Sequence, residues 1–98
     1  MNSGCAVVVS NAIGSAPYLI QDGKNGAIYD SGDFDSACRK IAGLMDDAPV
    51  QEVYGRNAYH TISEEWNAGI AAQRLYRLIP QLEKKESIPF SEGICSRA

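Results

Sequence analysis

The chain lacks a long apolar run, a basic excess and a usable set of metal ligands. Its clearest uninterrupted apolar stretch is Cys5-Ala6-Val7-Val8-Val9. That is far short of the roughly 18 to 20 residues of a membrane span, and too short for the central region of a signal peptide. The expected location is the cytoplasm, with at most a peripheral association at the inner face of a membrane. Nine Lys and Arg face twelve Asp and Glu, giving a formal net charge of −3, and so no basic field for nucleic acid. The three cysteines, Cys5, Cys38 and Cys95, are odd in number and widely separated, which fits neither a disulfide framework nor a zinc-ligand spacing. Cys5 and Cys38 fall at apolar positions and read as small buried thiols. His60 is the only histidine. It lies off the apolar stripe of its helix with no Cys or carboxylate at ligand spacing, and reads as a surface residue. No metal and no cofactor is expected.

What remains is ordinary globular material. With 98 residues, 45% hydrophobic and 21% charged, the chain makes one domain at most and buries only about 60 to 65% of its unfolded surface. The run Cys5 to Val9 is rich in β-branched residues and apolar on both faces, the pattern of a strand inside a parallel sheet. Ser10-Asn11-Ala12-Ile13-Gly14-Ser15 follows it. Open α/β sheets place ligands at the carboxyl ends of their strands, and small residues there let backbone N–H groups approach an anion closely. The alternative is an ordinary strand-to-helix turn.

Ser15 is expected to cap a short helix with Pro17 in its first turn. Asp22-Gly23 and Asn25-Gly26 read as turn formers, with Gly or Asn taking positive φ in the second bend. Ala27-Ile28-Tyr29 reads as a second short strand, closed by Ser31-Gly32-Asp33. From there Phe34, Ala37, Cys38, Ile41, Leu44 and Met45 recur at helical spacing, with Asp33 as N-cap and a stop near Asp46. A second helix begins around Pro49 and buries Val50, Val53, Tyr54, Ala58 and Ile62. Asn67 caps a third, in which Ile70, Ala71, Leu75, Leu78, Ile79 and Leu82 form the apolar face. Trp66 is placed to pack back on Ala71 as a hydrophobic staple. Pro80 predicts a stop or kink near Ile79. Glu64-Glu65 reads as a solvated helix start rather than a catalytic pair. Arg74, Arg77, Lys84 and Lys85 make a weak basic patch for anionic lipid, diluted by Glu83 and Glu86.

The ordered series Met1, Gly4, Val7 to Val9, Gly14, Leu19-Ile20, Asp22-Gly23, Asn25-Gly26 and Ile28-Tyr29 resembles the donor-side motif of the retaining glycosyltransferases called family four or group one. The likeness continues through Arg56-Asn57-Ala58, Ser63 and Trp66, and so covers Met1 to about Ile79. It implies an α/β fold, a partial Rossmann-like C-terminal half of a GT-B enzyme with two short parallel strands and three or four helices. Residues 1–82 would be the C-terminal part of a nucleotide-sugar-binding domain, and residues 83–98 an irregular tail. The resemblance makes Ser10, Asn11, Gly14 and Ser15 candidate contacts to the pyrophosphate or sugar of a nucleotide-diphosphate sugar, the donor for hexosyl transfer in polysaccharide or glycolipid synthesis. In this loop Ser15 stands where the family has a second Gly, and Tyr18 where it has a Glu.

Several family features are missing from the sequence. These are the two glutamates that hold the donor ribose and sugar, the Gly-Phe-Gly turn, the basic residues on the diphosphate and the acceptor-binding domain. The resemblance therefore implies a truncated donor-domain fragment, inactive alone, whose partner is the remainder of the enzyme. Two short strands also give too narrow a sheet for independent stability. The competing expectation is a non-catalytic remnant or interaction module.

Overall fold

The computed structural model describes residues 1–84 and 86–96. Its contacts divide the chain into two compact units, Met1–Ile62 and Ser63–Ala98. The architecture is mixed α/β, with two short parallel strands and four α-helices.

In the first unit, β1 (Val8–Ser10) pairs with β2 (Ala27–Tyr29) in the register Val8↔Ala27, Val9↔Ile28, Ser10↔Tyr29. One hydrogen bond extends the ladder at each end: Ala27 N donates to Val7 O at 2.8 Å, and Asn11 N to Tyr29 O at 2.9 Å. Each strand has a single partner strand among the described residues; on the outer side of β2 the Ile28 amide is taken by the Asp22 carboxylate. The parallel pairing agrees with the apolar, β-branched sequence, but Val7, Val8 and Val9 are only half-buried. A strand apolar on both faces becomes an interior strand only when further layers and neighbours cover it.

The connection between the strands contains α1 (Ala16–Leu19), with Pro17 in its first turn. Ser15 does not cap it by its side chain. Its own backbone is helical, at φ −85° and ψ −14°, whereas a capping side chain needs an extended residue to reach back to the N2 or N3 amide. The Ser15 carbonyl instead accepts from Tyr18 N and Leu19 N, at 3.1 and 3.0 Å. In the bends that follow, positive φ falls at Gly23 (80°) and Gly32 (88°), and not at Asn25 or Gly26.

Two helices complete this unit, α2 (Phe34–Asp46) and α3 (Ala48–His60). Asp33 caps α2 by accepting from Ser36 N at 2.9 Å, and Asp47 caps α3 by accepting from Val50 N at 3.1 Å. Asp47 is at once the last cap of α2 and the first cap of α3. The orphan carbonyls at the acidic end of α2 are satisfied from α3, where Gln51 Nε2 donates to Leu44 O and Met45 O. The α2 helix packs on β2 and on α3.

Among the described residues the buried set is Ala16, Ile20, Ala27 and Ala58, with Asn25, Gly26 and Gly55. No large side chain among the described residues is fully enclosed. Packing is by close backbone approach. A Cβ at Gly55 would overlap the Gly4 carbonyl, and one at Gly26 would sit 2.9 Å from Val7 O.

The helical periods of the sequence locate the apolar faces correctly but overstate their burial. Phe34 is 79% and Met45 73% exposed, and Ile41 and Val53 are exposed as well. So are both thiols read as buried, Cys5 and Cys38. Period reports which face is apolar, and burial depends on whether another layer lies over it.

The second unit is built on α4 (Ala68–Glu83), capped by Asn67, which accepts from Ile70 N at 3.0 Å. Between α3 and α4 the chain makes a π-helical turn, Thr61–Glu65. Pro80 does not end α4, which runs one further turn to Glu83. Pro80 and Tyr76 are both exposed, so water can satisfy the Tyr76 carbonyl that proline cannot bond. Leu75, Ile79 and Leu82, expected on a buried face, are exposed. Beyond α4, Arg74 Nη1 donates to the carbonyls of Glu92 and Ile94, and its guanidinium lies 4.9 Å from the centre of the Phe90 ring. Arg74 is therefore engaged within its own unit and does not serve a basic patch; Lys85 lies outside the described residues.

Candidate functional site

Parallel pairing brings the exits of both strands to one edge. Because Ser10 is opposite Tyr29, the segments that begin at Asn11 and Asp30 leave the sheet side by side. Carboxyl ends of parallel strands are where open α/β sheets hold ligands, and the four residues singled out in the sequence lie on the first of these segments.

Ser10 ends β1. Its Oγ accepts from Ala12 N at 3.1 Å and its carbonyl from Ile13 N at 3.2 Å, which leaves its hydroxyl hydrogen free to donate. Asn11 is anchored three times. Its N–H extends the ladder to Tyr29 O, its Nδ2 donates to Asp30 Oδ1 at 2.8 Å, and its Oδ1 accepts from Ser31 N at 2.9 Å. Gly14 and Ser15 are exposed, and their amides donate to no group among the described residues. Nothing stands within 4 Å of where a Gly14 Cβ would be. The structure thus brings Ser10, Asn11, Gly14 and Ser15 onto one exposed bend with two open amides and one open hydroxyl. Among the described residues no basic side chain hydrogen-bonds to this bend, and the carboxylate of Asp30 borders it.

The second small-residue segment, Gln21 to Gly26, has the opposite character. Asn25 is 4% exposed. Its Oδ1 accepts from Gln21 N at 2.7 Å, while its Nδ2 donates to Leu19 O at 3.0 Å and to Thr61 Oγ1 at 2.9 Å. Asn57 on α3 donates from Nδ2 to Lys24 O at 2.8 Å. Asp22 accepts from Ile28 N at 2.7 Å and from Lys40 Nζ at 2.9 Å. The Ile28 amide first, and the Lys40 ammonium next, hold the Asp22 carboxyl below the usual carboxylate range, against a small opposing effect of burial. These residues form a turn tied to α2 and α3, in keeping with their reading as turn formers.

Sequence reasoning did not find Asp30, Thr61 or Lys40, and it marked Asn57 only as part of the family likeness. Each acts on a partner far away in the chain, and no local pattern announces it. His60 is exposed and lies edge-on to Tyr59, ring centres 6.3 Å apart. Among the described residues no group of three or more His, Cys, Asp or Glu stands close enough to hold a metal ion. Nor is any helix long and apolar enough to cross a membrane.

A hollow of about 600 Å³ lies elsewhere, around the chain leading into β1. Its walls include Ala6, Val8, Ile41, Leu44, Met45 and Ala48. Its polar members are already engaged, Gln51 with the end of α2 and Glu52 with Arg56 at 2.7 Å. It is an uncovered apolar face rather than a site with convergent donors. A smaller hollow in the second unit, between Arg74 and residues 89–92, is bordered by the same engaged Arg74.

No match was found among curated proteins or among solved structures. The family model described as "Glycosyl transferases group 1" matches residues 1–61, which takes in both strands, the Ser10 to Ser15 bend and the locked turn. Enzymes of this kind pass a sugar from a donor to an acceptor. On a match spanning more than half its length, the chain belongs to the group 1 glycosyl transferases.

Proposed function

We propose that the chain is the C-terminal part of the donor domain of a GT-B-type, family-four retaining glycosyltransferase. Such an enzyme transfers a hexosyl group from a nucleotide-diphosphate sugar at the cytoplasmic face of the membrane, in polysaccharide or glycolipid synthesis. The bend Ser10, Asn11, Gly14 and Ser15 forms one wall of the donor crevice. The observation that carries the reading is the placement of this bend, with its open Gly14 and Ser15 amides, at the carboxyl edge of a parallel pair inside the matched region. Backbone N–H groups in that position donate to phosphate or sugar oxygens. In the full enzyme such fixed donors act by stabilising the charge of the departing diphosphate.

The remaining walls come from the rest of the enzyme. Supporting this are the two-stranded width of the sheet among the described residues, the half-buried valines, and the exposed apolar faces at Phe34, Met45, Leu75, Ile79 and Leu82. A monomer rarely leaves so much apolar surface uncovered.

A titration of the ¹⁵N-labelled chain with a nucleotide-diphosphate sugar such as UDP-glucose, followed in amide correlation spectra, tests the reading. Shifts should concentrate at Gly14 and Ser15, with an affinity no tighter than millimolar because one wall alone is present. Silence at those amides with several donors would favour a non-catalytic remnant or interaction module. Ser15 and Tyr18, which depart from the family pattern, already point in that direction.

A further inference from the structure

We infer that Asn11 is a positioning residue: its carboxamide fixes the bend across the two strand exits, and it does so by holding Asp30 and Ser31 rather than by touching the donor. This rests on the reading of the bend as a donor wall. The geometry is reciprocal. Nδ2 of Asn11 donates to Asp30 Oδ1 at 2.8 Å, while Oδ1 of the same side chain accepts from Ser31 N at 2.9 Å. One planar group thus closes on both an acceptor and a donor that follow β2. Its own N–H continues the ladder to Tyr29 O at 2.9 Å. With one donor hydrogen and one lone pair of the oxygen engaged, the carboxamide plane is held in a single orientation across the two strand exits.

What the clamp holds in place is the short arc from Ala12 to Ser15. That arc is exposed throughout and is pinned at its start by Ala12 N to Ser10 Oγ and Ile13 N to Ser10 O. Donor contacts then fall to the Ser10 hydroxyl and the Gly14 and Ser15 amides, whose positions depend on the tie to the β2 exit. The Asn11 side chain adds affinity by removing the ordering cost of the bend.

The clamp has a polarity that can be inverted, which supplies the test. N11D sets a carboxylate against Asp30, whereas N11A merely removes the tie. D30N keeps an acceptor for Asn11. The double variant N11D/D30N restores a carboxamide–carboxylate pair with the donor and acceptor exchanged, while the acceptor for Ser31 N is kept. All four are compared with the parent chain by circular dichroism, ¹⁵N relaxation and hydrogen exchange, then by UDP-glucose titration.

The expected pattern is order lost at Ala12 to Ser15 and about fivefold faster exchange at Ser31 in N11A. The losses should be greater in N11D, small in D30N and largely recovered in N11D/D30N. The apparent donor affinity at Gly14 and Ser15 should fall in the same order. Unchanged bend order in N11A and N11D, or no recovery in the double variant, overturns the inference. If the parent chain responds to the donor and N11A responds equally, the positioning role fails while the donor reading stands. If the parent chain shows no response, the donor reading fails and takes the positioning role with it, although relaxation still reports whether the tie orders the bend.

Discussion

Two segments of similar composition, Ser10 to Ser15 and Gln21 to Gly26, differ in where their polar groups go. In the second, Asn25 is buried with three hydrogen bonds, Asp22 is held by Ile28 N and Lys40, and Lys24 O is taken by Asn57. In the first, the anchoring ends at Ile13, and the Gly14 and Ser15 amides face solvent. Small polar residues in a connecting segment therefore do not by themselves mark a binding bend. What separates a binding bend from a structural turn is whether the protein has already satisfied its donors and acceptors.

The sharpest way to break this contrast is Asn25→Ala. It leaves Gln21 N, Leu19 O and Thr61 Oγ1 without their partner in a buried site, and stability should fall by about 2–4 kcal/mol, read as a lower urea midpoint. Gly26→Ala comes next. Its new methyl meets Val7 O at 2.9 Å and the Ile20 side chain at 3.1 Å, an overpacking cost of about 1–3 kcal/mol in the same measurement.

Asp22→Asn should have a smaller effect that depends on pH. The folded Asp22 carboxyl titrates below its ordinary value of 3.8, so its stabilisation is full above that value. The stabilisation is lost as pH falls through the depressed folded value. The parent chain should exceed the variant in urea midpoint at pH 7, and the gap should narrow as pH falls below the ordinary carboxylate range. The half-exposed setting of the Lys40 pair keeps the effect modest. Least of all, Gly14→Ala should leave the midpoint within about 0.5 kcal/mol of the parent, since its new methyl meets nothing within 4 Å. A large loss there would mean that the bend is a structural turn like the other.

Local chemistry made much of the fold legible. Asp33 and Asn67 act as the caps their sequence positions imply, and Ala27-Ile28-Tyr29 is the second strand. Burial was not legible, because Phe34 and Met45 keep helical period whether or not a neighbour covers them. Pro80 was read as a stop or kink, and of these the stop is absent, since α4 runs on to Glu83. At the candidate site, the place of Ser10, Gly14 and Ser15 in the segment that leaves β1 was legible from the order of the residues. The engagement of Asn11 was not, because it depends on which residues of β2's exit the parallel register sets beside it.

The contact of α3 with the start of the chain carries one further consequence. Gly55 abuts the Gly4 carbonyl, and Ala58 is fully enclosed, so this helix rests on main chain with almost no side-chain cushion. A cushion of that kind has a single permitted thickness. Larger residues there would lift the leader of the first strand and shift where it meets its partner, so the alignment of the sheet edge is governed in part by the absence of atoms on a helix at its back.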